Sequence, residues 1–262
     1  MSRNKRSREA KETLATVVNM NNGTETEEIK EIKTKKDKRI KFQFLLKKLL
    51  EQVRLTPRQE ELSKKIYSNT ITYTFGVAGT SKTWSTCFTL LKLLFEGKID
   101  RIIFTKPVKE AGENLGFLPG DVNQKLEPYM ESFIYTCKEM LGDDIIKFLV
   151  DNKFIESRPL AYLRGLTFKN CGLFLDEMQN LDYKQLMLYI TRLGEGSKMI
   201  FAGDFSQRDI IDDKGKLFEL IGLFKSLSAI GVHEFTREDI VRNPLLIQIT
   251  DIYEKWKEQK GI

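Results

Sequence analysis

Eight residues, GVAGTSKT from Gly76 to Thr83, have the types and nearly the spacing that can cradle a polyphosphate. An apolar β-branched run, ITYTF, precedes them, and the apolar-periodic stretch WSTCFTLLKLLFEG follows. Strand, glycine-containing loop and helix start, in that order, are the context of a P-loop. Backbone N–H groups at a helix start have no intrahelical acceptor, and the helix dipole adds about half a positive charge, so both favour an anion. Gly76, Val77, Ala78, Gly79, Thr80 and Ser81 would form the loop. Lys82 would reach the β- and γ-phosphates, and the Thr83 hydroxyl would sit on Mg²⁺. The pattern G-x4-G-K-[ST] asks for glycine where Ser81 stands, so the match is imperfect.

Further candidate groups stand where apolar runs end. GLFLDE runs into Asp176, which can hold Mg²⁺ directly or through water, and Glu177, which could polarise an attacking water. In GDFSQ, Gln207 would sense the γ-phosphate through its amide, although Gly-Asp after a strand is also ordinary turn chemistry. Arg237 and Arg242 follow another strand, and either could serve as an arginine finger. A surface ion pair is the preferred reading of Arg237. In LTPRQEEL, Gln59 completes a capping box with Thr56; the functional alternative is a contact to the adenine edge. Two basic loops carry Lys106 and Lys109, and Arg158 and Arg164, with Tyr162 available for base stacking. These side chains could instead touch the nucleotide or a neighbouring subunit.

The elements that must position these groups alternate. Apolar strands are expected at ITYTF, RIIFTK, CGLFLDE, SKMIFAGD and GVHEFT, with a short one at KFIES. Helical periodicity fills the intervals, including VNQKLEPYMESFIYTCKEML with an interruption expected at Pro128. Such alternation predicts an α/β three-layer sandwich, a mainly parallel sheet covered on both faces. Ligands of such sheets bind at the carboxyl ends of the strands, where the candidate residues fall. Residues 1–41 are polar, charged and poor in aromatics, and read as a disordered or loosely helical basic tail; residues 42–262 read as one domain opening on an amphipathic helix.

Composition narrows the partners. The tail holds 12 Lys or Arg against 7 Asp or Glu, leaving 31 against 30 in the remainder, so the body is nearly neutral. Overall basicity is therefore a poor argument for nucleic-acid binding by the folded part. No apolar run approaches the ~20 residues that span a bilayer, and no secretory signal follows the N-terminus, so a cytoplasmic protein without membrane contact is expected. Three widely spaced cysteines and a single histidine, His233, argue against a disulfide framework, a zinc site and a histidine triad.

Taken together, TPRQ, GVAGTSKT, TKPVKEAGENLGFLPGD, RPLAYLRGLTF, FLDEMQN, TRLGEGSKMIFAGDFSQ and FTREDIVRNPLL resemble the motifs of the PhoH family, in order. These are phosphate-starvation-inducible ATPases with a RecA-like P-loop core, related to superfamily 1 helicases. The resemblance covers roughly Thr56 to Tyr253. It implies ATP bound by the P-loop, Mg²⁺ held by Thr83 and Asp176, Glu177 as catalytic base and Gln207 as sensor. It also implies Gln59 as adenine contact and Arg242 as finger. Ser81 and Met178 depart from the family pattern. Family members are associated with RNA metabolism and often assemble as rings; residues 1–55 show no PIN or KH pattern, so a minimal version is expected. Two classes of function follow. One is a Mg²⁺-dependent ATPase acting on single-stranded RNA or DNA. The other is a nucleotide-dependent, ring-forming assembly or regulatory protein with a protein partner. A homo-oligomer, such as a hexameric ring, suits either.

Overall fold

The computed structural model describes residues 35–107, 122–204, 213–241 and 245–260. Lys109, Gln207 and Arg242, and residues 1–34 of the expected tail, lie outside the described residues. The chain divides into two units, 1–38 and 39–262. In the first, residues 35–38 are described and are helical.

Helix α1 spans Lys35–Gln52 and so takes in residues 35–41 of the segment expected to be disordered or loosely helical. Lysine and arginine are good helix formers, and Asp37 in the first turn suits the positive end of the dipole. Phe42, Leu45 and Leu49 are buried along one face of this helix. Phe42 meets Phe95 and Phe154 edge-on at 5.5 and 5.1 Å. Helix α2 (Pro57–Ser68) starts with Thr56 accepting from the Gln59 N–H while the Gln59 side chain accepts from the Thr56 N–H. This is the expected capping box, with Pro57 at the first helical position.

Six strands follow in the second unit: β1 (Ile71–Phe75), β2 (Arg101–Thr105), β3 (Ile155–Ser157), β4 (Cys171–Leu175), β5 (Lys198–Gly203) and β6 (Ile230–Glu234). They form one sheet in the order β3-β2-β4-β5-β1-β6, and every pairing is parallel. Helices α3 (Lys82–Phe95), α4 (Val122–Leu141), α5 (Asp143–Asp151), α6 (Tyr183–Ile190) and α7 (Asp213–Phe224) lie between strands, and α8 (Leu245–Lys260) comes last. Helical crossovers are what parallel neighbours require.

The two-residue period of the strands sorts side chains into two buried layers. Tyr73, Ile103, Leu173, Leu175, Met199 and Phe201 face one way, joined by Leu186 and Tyr189 of α6 and Leu217 and Ile221 of α7. On the opposite face, Phe104 stacks on Phe133 of α4 at 4.5 Å, and Gly172 lies directly beneath Leu90 of α3. Helix α4 runs unbroken through Pro128, where an interruption was expected. Proline costs a helix interior about 3 kcal/mol; burial of Phe133, Cys137, Met140 and Leu141 on the same helix outweighs that. Among the described residues no helix is long and apolar enough to cross a membrane.

Candidate functional site

Strand register brings the candidate groups to one edge. Phe75 of β1 lies level with Gly203 of β5 and Glu234 of β6, and Thr105 of β2 lies level with Leu175 of β4. The residues that follow these strand ends therefore converge, as expected for the carboxyl edge of a parallel sheet.

The 76–83 loop leaves β1 and enters α3 through Ser81, whose backbone is left-handed at φ 64° and ψ 28°. The Ser81 side chain makes no capping bond, so the first amides of α3 keep no side-chain acceptor from the cap residue. Lys82 Nζ donates to the carbonyls of Gly76 and Val77 at 2.6 and 2.9 Å, folding over its own loop. Thr80 Oγ1 donates to the Val77 carbonyl at 2.8 Å and stiffens the same turn. One residue beyond the lysine, Thr83 Oγ1 donates to Asp176 Oδ2 at 2.8 Å. Residues 93 positions apart in the chain thus share one oxygen cluster.

Asp176 is buried, and that burial pushes its carboxyl pKa up, opposed first by the Thr83 hydroxyl donating to it. Its second oxygen accepts from the Glu177 N–H at 3.0 Å. A buried carboxylate beside a hydroxyl is a donor set of hard oxygens, which fits Mg²⁺, an ion that takes one or two protein oxygens and completes its shell from phosphates and water. Glu177 also has a left-handed backbone, at φ 58° and ψ 41°. Non-glycine residues there cost about 1–3 kcal/mol and concentrate at functional sites. The turn aims its carboxylate between Gln179, whose Nε2 donates to Oε2 at 2.6 Å, and Lys106, whose Nζ is 3.9 Å from Oε1.

Residues 53–254 match the family model described as PhoH-like protein. The chain belongs to the PhoH family. It is 38% identical to a PhoH-like protein of Bacillus subtilis (strain 168) over 201 residues, 76% of this chain and 63% of the relative. A PhoH-like protein of Synechocystis is 37% identical, over 76% of this chain and 61% of the relative. Protein PhoH of Escherichia coli (strain K12) is 35% identical over 187 residues, 70% of this chain and 52% of the relative. The chain spans about three fifths of the length of the first of these curated PhoH relatives.

The structure brings Thr83, Asp176 and Glu177 together and adds Lys106 as a neighbour of Glu177, while the Lys82 side chain is bonded to its own loop. Gln59 is buried, and its Oε1 is committed to the α2 cap, which leaves Nε2 for any ligand contact. Arg237 pairs with Asp251 at 2.6 Å, in keeping with its surface reading. Arg158 is held by two bonds to Glu156, at 3.2 and 2.7 Å, and its guanidinium stands 6.0 Å over the Phe168 ring. Tyr162 and Arg164, beside it in the chain, are exposed. The three cysteines are free and buried; the Cys87 and Cys137 thiols interact with each other, and Cys171 Sγ accepts from Arg101 Nε and donates to the Lys169 carbonyl.

Sequence reasoning missed two contributors. The segment after β6 bonds back to the loop region: Phe235 N–H donates to the Phe75 carbonyl at 2.8 Å and Val241 N–H to the Gly79 carbonyl at 3.3 Å. No local pattern signals such main-chain contacts. Gln179 is the other: it stands in the quoted FLDEMQN motif but was given no role, because its direction depends on the left-handed turn at Glu177.

Proposed function

We propose that this chain is a Mg²⁺-dependent ATPase of the cytoplasm that couples ATP hydrolysis to binding or remodelling single-stranded nucleic acid, RNA before DNA. The observation that carries the proposal is the 2.8 Å bond from Thr83 Oγ1 to Asp176 Oδ2, which joins the P-loop to the strand-end carboxylates. Because the chain spans about three fifths of its relatives, the activity belongs to this reading and is not taken over from them.

In this reading, Gly76 to Ser81 and the first amides of α3 receive the phosphates, and Lys82 turns from its loop carbonyls to the β/γ-oxygens. Thr83 and Asp176 would hold Mg²⁺, which would supply positive charge against the phosphate oxygens. Glu177 accepts the proton of the attacking water. Gln207 senses the γ-phosphate, Arg242 serves as finger, and Gln59 Nε2 faces the adenine. Tyr162 stacks on a base while Lys106, Lys109, Arg158 and Arg164 lie along the nucleic-acid backbone; the preference for RNA rests on the family resemblance.

A second reading, a nucleotide-dependent ring that acts on a protein partner, is favoured by one observation. Leu245, Ile249, Ile252, Tyr253 and Trp256 recur at helical spacing on α8 and are all exposed. Such a stripe suits burial against another chain, including a second copy in a hexameric ring.

Steady-state ATPase assays with poly(U), single-stranded DNA or neither, across a salt series, separate the two. Polymer stimulation that weakens with salt and vanishes in Lys82→Ala is the expected result. A rate indifferent to polymer and salt overturns the nucleic-acid reading and leaves the assembly reading.

A further inference from the structure

We infer that Gln179 is a positioning residue that sets Glu177 for proton abstraction by bridging the ends of β4 and β5. The inference rests on the ATPase reading proposed above. Gln179 is 4% exposed, so its amide is fixed by packing and not left to solvent. Its Nε2 donates to Glu177 Oε2 at 2.6 Å, and its Oε1 accepts from the Asp204 N–H at 3.1 Å. The two ends of one planar amide therefore hold two strand ends at a fixed separation. The space beside it is closed: a Cβ at Gly203 would come within 2.9 Å of Gln179 Oε1 and 2.7 Å of Met178 Cγ. The glycine before Asp204 is thus what lets β5 approach the amide.

Glu177 needs such a partner. It is at the start of a left-handed turn, and its carboxylate is otherwise approached by Lys106 at 3.9 Å, a longer and partly exposed contact. A short bond from a buried donor defines direction where an exposed ion pair does not. Gln179 bonds the oxygen remote from Lys106, so the carboxylate is gripped from both sides and its remaining lone pairs are aimed. A base displaced by about 1 Å loses roughly 10²-fold in rate.

The two bonds can be separated by substitution. Gln179→Glu keeps an acceptor for the Asp204 N–H but replaces the donor to Glu177 with a second carboxylate. The test measures kcat and KM for ATP, binding of N-methylanthraniloyl-ATP and the thermal midpoint, in wild type, Gln179→Glu, Glu177→Gln and the double variant. Expected for Gln179→Glu are a fall in kcat of roughly 10²-fold, unchanged nucleotide binding and a thermal midpoint near wild type. In the Glu177→Gln background the same substitution should cost no further rate, because the residue acts through Glu177. Should the added carboxylate prevent folding, Gln179→Met, of similar volume and without polar atoms, carries the same kinetic comparison. Wild-type kcat in Gln179→Glu, or additive losses in the double variant, overturns the inference while the ATPase reading stands. A wild-type chain that binds but never hydrolyses ATP overturns both, and the wild-type assay alone reveals that case.

Discussion

Ser81 carries a definite energetic consequence. Its left-handed backbone costs an L-residue about 1–2 kcal/mol that glycine avoids. The contacts of the position are backbone ones: its carbonyl accepts from the Ser85 N–H at 2.9 Å and from Ser85 Oγ at 2.7 Å. Glycine would keep both. Ser81→Gly is therefore expected to raise stability by about 1 kcal/mol, read as a higher urea midpoint at unchanged slope, and to keep or raise ATP turnover. A large loss of turnover would show that the hydroxyl itself binds phosphate. The sequence marked this position because it breaks the G-x4-G-K-[ST] spacing, but the sign of φ is set by how the loop re-enters α3, which no local pattern encodes. Asp176 and Glu177 were legible for a similar reason, as acids ending an apolar strand. Gln179 lay within the FLDEMQN motif, but its role was not legible, since a residue two places past the acids could point anywhere until the Glu177 turn is known.

Helix α3 links the core to the site. Gly172 of β4 lies against the ends of two side chains: a Cβ would come within 2.6 Å of Leu90 Cδ2 and 2.8 Å of Ile99 Cδ1, so both would have to shift. Gly172→Ala should push α3 from the sheet, costing about 1–3 kcal/mol, and move Thr83 away from Asp176. Its KM for ATP should rise. Leu186→Ala, in the layer across the sheet, is expected to cost about 2–5 kcal/mol while leaving that KM near wild type when assayed well below its thermal midpoint. Equal effects on KM would mean that α3 does not transmit packing to the loop. Most elements were readable from periodicity, since β1, β2, β4 and β5 are short, largely apolar runs closed by Gly, Thr or Asp. One departure has a physical cause: a 20-residue helix with a buried face absorbs Pro128, where an interruption was expected.

For the second unit as a whole, the alternation of strands and helices predicted the parallel three-layer fold, and the sheet confirms it, but the order β3-β2-β4-β5-β1-β6 could not be read locally because it depends on crossovers between distant segments. The β6 edge of that sheet is covered from α2: Lys65 Nζ donates to the Val232 carbonyl and Arg58 Nη2 to the Glu234 carbonyl, the latter at 2.6 Å. Outward-facing strand carbonyls are thereby closed to pairing with other chains. His233 is buried in this same region, its Nε2 without a hydrogen-bond partner. Burial, then Arg58 and Lys65, lower its pKa to about 4, while Glu61 and Asp239 pull the other way. The unfolded chain, with a histidine near 6.5, binds more protons between the two values. Stability is therefore expected to fall as pH drops from 6.5 towards 4, and His233→Phe should flatten that part of the urea-midpoint profile. An unchanged slope would place the acid sensitivity elsewhere. The Thr83–Asp176 bond is where the P-loop meets the strand-end carboxylate, the place proposed above for Mg²⁺. The most direct test of that proposal is the rate of Mg²⁺-dependent ATP hydrolysis by folded Asp176→Ala beside wild type. The account predicts wild-type turnover that stops on chelation of Mg²⁺ and is absent from the variant. Hydrolysis persisting in Asp176→Ala would contradict it.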